Sequence, residues 1–337
     1  MANTSNPVKP SKLRIKVFGI GGAGGNTVNK LWNNNSADAK LYVANTDNQS
    51  LYASPVQNKI FLGTSGIGAG GNPEKGHFAA VESKEIIRTK MMDTDLVFIT
   101  AGMGGGTGTG AAPVFAKIAK SLGCMVVSVV TRPFDFEGRK RTNNTEKGIK
   151  ELSKYSDSIM VISNNRVLDV CGHAPFKIAL GYADNVLSNT IDCIINTVST
   201  PSLVNIDYAD IKSILFGCHK AYVGIGMSDN QVNEQRAEDA ALRAVNSPLL
   251  ETDIQGVKNA IVHIAGGRDM CIADAEVSVE SIKKAAGEAI DVIFGVRVDP
   301  NLDGKMVITV IATSEIDDDE DGAEDEKPKG VYSIKNR

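Results

Sequence analysis

Short apolar runs rich in β-formers recur through the first half of the chain. Each is followed by a polar or glycine-rich stretch and then by residues at helical spacing. The runs Leu13–Phe18, Lys40–Ala44, Leu96–Thr100, Met125–Val130 and Ile159–Ile162 predict strands. Strands alternating with helices in this way predict an α/β fold, a parallel sheet with helices on both faces. A long helical stretch, Phe176–Ser199, follows, and then a turn and helix in "TPSLVNIDYADIKSIL". A second α/β region runs from about Gly217 to Ser314. Its strand candidates are Ala221–Ile225, Ala260–Ile264, Val292–Val298 and Met306–Ile311, and its helix candidates are Asn233–Val245 and Val277–Ala289.

The loop after each early strand carries the candidate chemistry. The five runs end in "GIGGAGGN", "NTD", "AGMGGGTGTG", "TRPFDFEGRKR" and "SNNR". In a parallel sheet all five loops emerge at one edge, where open α/β sheets bind ligands. Glycine is costly to order, so a cluster such as "GMGGGTGTG" needs a reason. Placed between a strand and a helix, it describes a phosphate-binding loop. Two such loops at one edge predict a nucleotide site with two phosphate grips.

Bulk properties narrow the class. With 337 residues, 42% hydrophobic and 23% charged, the chain has the composition of a soluble protein of two domains. Residues 1–12 read as a polar disordered arm without the apolar core of a signal peptide. No run approaches the ~18 apolar residues of a membrane span. Five scattered cysteines, none in a CxxC pair, fit reduced thiols in the cytoplasm. Residues 315–337 hold nine acids and four bases, a net −5 in a chain of −4, so the body is near neutral. That balance argues against a nucleic-acid partner. The acidic run reads as a solvated linker over 315–330, followed by a short tail over 331–337.

Which nucleotide is a matter of loop number. The Walker pattern GxxxxGK[ST] is absent. Gly19, Gly21 and Gly24 form a GxGxxG, with Asp47 near the end of the second strand, so an NAD-binding oxidoreductase is an alternative. That alternative leaves the second glycine loop without a task. A triphosphate needs both, because backbone N–H groups at two helix N-termini can share its charge without a lysine. Thr107 and Thr109 add hydroxyl donors, and capping of the following helix is the other reading of Thr109.

Taken together and in order, "GIGGAGGN", "NTD", "GAGGNPEKG", "AGMGGGTGTGAAPV", "RPFDFEGRKR", "ADNVLSN" and "NIDYADIK" resemble the FtsZ cell-division GTPases of the tubulin/FtsZ family. The resemblance spans roughly Leu13 to Ser314. It implies a Rossmann-like GTP-binding domain over 13–175, a long central helix over 176–199 and a smaller α/β domain over 200–314. The catalytic loop opens that last domain. It implies phosphate contacts from Gly21, Gly22, Ala23, Gly24, Gly25 and Asn26, and from Gly104, Gly105, Gly106, Thr107 and Gly108. Glu137 and Arg141 match ribose and phosphate contacts, and Asn164 and Asp184 match the pair that reads guanine. A carboxylate suits that task because guanine offers N1–H and N2–H₂ donors. Asn205, Asp207 and Asp210 match catalytic residues that act on the neighbouring subunit's nucleotide. The implied ligands are GTP or GDP with Mg²⁺. The implied partners are further copies of the chain in a head-to-tail polymer, with membrane tethers and division-site regulators, at a cytoplasmic division ring beneath the membrane. A GTP-binding scaffold without hydrolysis is a further alternative. The chain departs from the family pattern at Ala23 and Gly25. It also carries Leu180 where an aromatic usually stacks on the base, and it lacks the usual partner peptide at its end.

Overall fold

The computed structural model describes residues 13–34, 38–171, 175–199, 212, 214–215, 220–247, 249, 257–287 and 290–314. The proposed arm, acidic linker and tail lie outside these residues. So do Asn205, Asp207 and Asp210.

Ten strands form one continuous sheet in the order β3-β2-β1-β4-β5-β6-β7-β10-β8-β9. The first six are β1 (Ile15–Ile20), β2 (Ala39–Asn45), β3 (Asn58–Phe61), β4 (Leu96–Gly102), β5 (Met125–Arg132) and β6 (Ser158–Ser163). All their pairings are parallel. β1 is buried along its whole length, as a strand covered on both faces must be. Its Ile15 and Val17 pack into one core together with Val28 and Leu31 of helix α1 (Gly21–Asn33) and with Leu187 and Ile191 of helix α8 (Phe176–Ser199). Its Phe18 and Ile20 pack into the other, with Ile87 of helix α4 (Lys84–Met91), Phe115 of α5 (Thr107–Ser121) and Leu152 of α6 (Arg139–Ser153). Helices therefore cover both faces, and the predicted strands all exist, each shifted or lengthened by one to four residues.

Three elements lack a clear signal in the hydrophobic pattern. β3 is a four-residue edge strand. Helices α3 (Pro73–Glu82) and α4 complete the connection to β4. Only α3 has a legible start: Asn72 Oδ1 caps the Glu74 N–H, and Pro73 occupies the first turn, where a missing N–H costs nothing. Two short helices, α2 (Asn48–Ala53) and α7 (Asn164–Cys171), come after β2 and β6.

The C-terminal half comprises β7 (Lys220–Ser228), helix α9 (Asn233–Val245), β8 (Asn259–Gly266), helix α10 (Ile272–Ala286), β9 (Asp291–Val298) and β10 (Met306–Ser314). β10 lies antiparallel between β7 and β8. This half is not a separate layer: β7 pairs with β6 through Ile159↔Lys220 and Met160↔Ala221. The helix expected over Val277–Ala289 begins earlier, at Ile272. It stops before Gly287, whose φ of 104° ends the helical ladder.

Candidate functional site

Register alone brings the loops together. Ile20 at the end of β1 stands beside Ala44 and Ala101, Gly102 beside Thr131, and Arg132 beside Ser163. The next residues after each strand, Gly21, Thr46, Met103, Pro133 and Asn164, therefore leave one edge of the sheet.

Both glycine loops run directly into helices. α1 begins at Gly21 and α5 at Thr107, so each loop's first amides are the unsatisfied donors of a helix N-terminus. The two ends abut: a Cβ on Gly21, whose φ is 73°, would lie 3.1 Å from the Gly108 nitrogen. The glycines divide into two kinds. Gly24 and Gly108 are demanded by packing, because a Cβ there would fall 2.2 Å from the Thr100 carbonyl oxygen and 2.4 Å from that of Gly102. Gly22, Gly25 and Gly105 instead face open space. Those three form the cradle into which a phosphate can approach the backbone. Asn26 is exposed beside it and Ala23 half-buried, near Gly102.

Two expectations for the second loop change. Thr109 does not cap α5; it sits inside that helix, buried, and its Oγ1 accepts the Gly104 N–H at 2.8 Å. The Gly104 carbonyl in turn accepts from Asn144 Nδ2 at 3.3 Å, so both of its backbone groups are already committed to shaping the loop. The donors left for a ligand belong to Gly105, Gly106, Thr107 and Gly108. Thr107 Oγ1 is shared with Thr46 Oγ1 at 2.7 Å, which ties the "NTD" loop to this one.

A third segment belongs to the site. In "GIGAGGN", Gly66, Gly68, Gly70 and Gly71 all have positive φ. The segment lies on the "NTD" loop, with Gly68 N–H donating to the Thr46 carbonyl at 3.0 Å, and on Gly106, whose Cβ would fall 2.9 Å from the Asn72 nitrogen. Four glycines in six residues are the signal that could have assigned it to the site from sequence.

Asp47, which a dinucleotide reading would place on a ribose, instead caps α2, accepting from Gln49 N–H and Ser50 Oγ. The Ser50 hydroxyl holds its carboxyl below the ordinary range. Glu137 and Arg141 pair with each other, and Glu137 also accepts the Phe134 N–H at 2.9 Å. Asn164, the first residue of α7, is buried, and its Oδ1 has no hydrogen-bond partner among the described residues. A buried acceptor left without a donor is costly, so this atom fits a ligand donor. Asp184 is half-buried on α8, and burial pushes its carboxyl up to about 6, with Lys30 opposing the shift. Tyr182, on α8 itself, is partly buried and packs against the core. The Leu180 side chain lies outside the described ones. No helix of the described residues is long and apolar enough to cross a membrane.

Comparison with known proteins fits this edge. Residues 14–172 match the Tubulin/FtsZ family GTPase domain, and 219–315 match the FtsZ family C-terminal domain. A relative described as cell division protein FtsZ, from Mycoplasmopsis pulmonis, is 42% identical over 301 residues, which is 89% of this chain and 76% of the relative. A solved FtsZ dimer from M. jannaschii superposes with a TM-score of 0.86 at 38% identity, over 91% of this chain and 89% of that one. CetZ1 from Haloferax volcanii, solved as a GDP-bound monomer, shares the fold, with a TM-score of 0.75 at 21% identity over 89% and 94% of the two chains. The twin helix N-termini, the glycine cradle between them and these matches over both halves place the chain in the tubulin/FtsZ GTPase family.

Proposed function

We propose that the chain is a self-polymerising GTPase of the bacterial division ring, which binds GTP at the carboxyl edge of β1, β4 and β6 and hydrolyses it at subunit junctions. The observation that carries the nucleotide reading is the contact of Gly21 with Gly108, with open backbone at Gly22, Gly25 and Gly105 around it. The amides of α1 and α5 then share the phosphate charge. Glu137 and Arg141 exchange their mutual pairing for contacts to ribose and phosphate. Asn164 and Asp184 take the guanine edge, the carboxylate accepting from N1–H and N2–H₂. An Mg²⁺ bound with the nucleotide would neutralise phosphate charge.

Catalysis is assigned to Asn205, Asp207 and Asp210 of the next subunit. Asp207 and Asp210 are three apart in the sequence, a spacing that a first helical turn would bring to one face. A carboxylate there can orient a water in line with the γ-phosphate. Assembly completes the site and hydrolysis weakens the assembly. The M. jannaschii FtsZ solved as a dimer supports self-association for that protein, and family membership extends the reading to this one. The expected location is the cytoplasmic face of the division site, with tethers and regulators engaging the tail.

The test is GTP turnover per subunit as a function of protein concentration. It is expected to rise with concentration and vanish on dilution. Asp210→Ala is expected to bind GTP as the parent does and to lose at least about 100-fold in turnover. Turnover independent of concentration, or an unimpaired Asp210→Ala, would refute hydrolysis in trans. Binding of GTP without any phosphate release would favour the scaffold alternative.

A further inference from the structure

Lys30 lies in the third turn of α1, far along the helix from the first glycine loop. Its ammonium donates to the Gly181 carbonyl and, at 2.6 Å, to Asn185 Oδ1. These acceptors bracket Asp184 on α8, three residues before it and one after. Burial holds the Lys30 ammonium below its ordinary range, so the cation sits where desolvation opposes it. Two acceptors supplied by one helical turn are what offset that cost. Gly181 leaves the approach clear: a Cβ there would meet only the ammonium itself, at 4.0 Å.

We propose that Lys30 is a positioning residue for base recognition: it clamps the α8 turn carrying Asp184 to the helix that carries the first phosphate loop. The phosphate end and the base end of the nucleotide are thereby held in one frame. This rests on Asp184 reading guanine. No sequence motif points to it, because the lysine and its acceptors are about 150 residues apart. A second consequence is electrostatic. Among the described residues Lys30 is the charged group acting on the Asp184 carboxyl, and it keeps that carboxyl ionised against burial. A protonated carboxyl accepts poorly from N1–H and N2–H₂, so removing the ammonium should make base binding fail at a higher pH.

The experiment measures dissociation constants for GDP, ADP and inorganic pyrophosphate on the full chain, from about pH 5.5 to about pH 8.5, a range chosen to span Asp184 titration. Parent, Lys30→Met, Lys30→Arg and Asp184→Asn are compared. Lys30→Met is expected to weaken GDP about tenfold at neutral pH and to move the acid limb of its binding profile up by about one pH unit. Pyrophosphate should bind Lys30→Met as it binds the parent, and Lys30→Arg should restore both GDP affinity and profile. The proposal is overturned if Lys30→Met binds GDP as the parent does, or if GDP and pyrophosphate weaken together with an unmoved profile, which is the mark of a general structural loss. If Asp184→Asn keeps the parent's preference for GDP over ADP, the base reading itself fails, and the role of Lys30 falls with it.

Discussion

The two halves of the sheet use similar strands to opposite ends. From β3 to β6 every pairing is parallel, so every strand delivers its following loop to the same edge. From β7 to β9 only β10 is reversed: β7, β8 and β9 keep the direction of β6, so their following loops leave that same edge. The first half runs two of its loops through glycines into helix N-termini, which concentrates backbone donors and builds a nucleotide site. The second half instead buries its chemistry: His263 of β8 lies within the sheet, neighboured by Thr309 and Gly295. Glycine loops that run into helix N-termini at that edge are what make the site possible, and the short β6–β7 pairing makes the two halves one sheet.

Steric substitutions on matched glycines test how far the halves stand or fall together. Gly110 and Gly226 both support a helix packed at the closest range: a Cβ would fall 1.9 Å from the Pro73 carbonyl oxygen in one and 2.1 Å from that of Ala240 in the other. Alanine at either should cost about 3 kcal/mol or more, because backbone cannot move aside as a side chain tip can. Gly110→Ala is expected to lower the melting temperature and abolish GDP binding. Gly226→Ala should lower melting in a calorimetric scan yet leave GDP affinity intact below the transition. Loss of binding in Gly226→Ala under folded conditions would mean that the halves form one cooperative unit. Gly22→Ala sharpens the contrast: with open space around it, stability should move by less than about 0.5 kcal/mol. The phosphate cradle would be filled, and GDP should bind about tenfold more weakly.

Acid separates the halves next. Burial and the nearby Arg297 cation push His263 down to about 4, while its unfolded value is the ordinary 6.5. Its folded pKa is depressed, so the stability it protects is present above about pH 6.5 and lost as pH falls toward 4. Asp184 runs the other way. Its carboxyl is raised, so the free protein is favoured by protonation there, and stability conferred by that group declines as pH rises through about 6. Between these limits the two contributions oppose each other, so acid should cost His263→Gln less in denaturant midpoint than it costs the parent. An unchanged slope in that variant would remove His263 from the account.

The smallest expected effect concerns the base. Aromatic stacking is worth ~1–3 kcal/mol per base, part of which an aliphatic side chain already supplies by covering it, so Leu180→Phe should tighten GDP binding by about fivefold without altering the preference for guanine. Equal or weaker binding in a titration would mean that the base already has another platform.

Much of this molecule is legible in the order of its residues. Apolar β-forming runs set the order and type of nine strands, because burial of successive side chains is a local, periodic demand. Glycine clusters between strands and helices mark the phosphate loops, because amides at a helix N-terminus are a local feature too. The tertiary structure decided what each glycine is for. Gly24 answers to Thr100, Gly110 to Pro73 and Gly226 to Ala240, and such close approaches join segments that no window along the chain contains. It made Thr109, for which capping was one of two readings, a brace for Gly104, joined the two expected α/β regions into one sheet through two residue pairs, and set Lys30 against the turn that carries Asp184. Patterning reports which side of an element meets the core; which atoms meet across it is settled only when the elements pack.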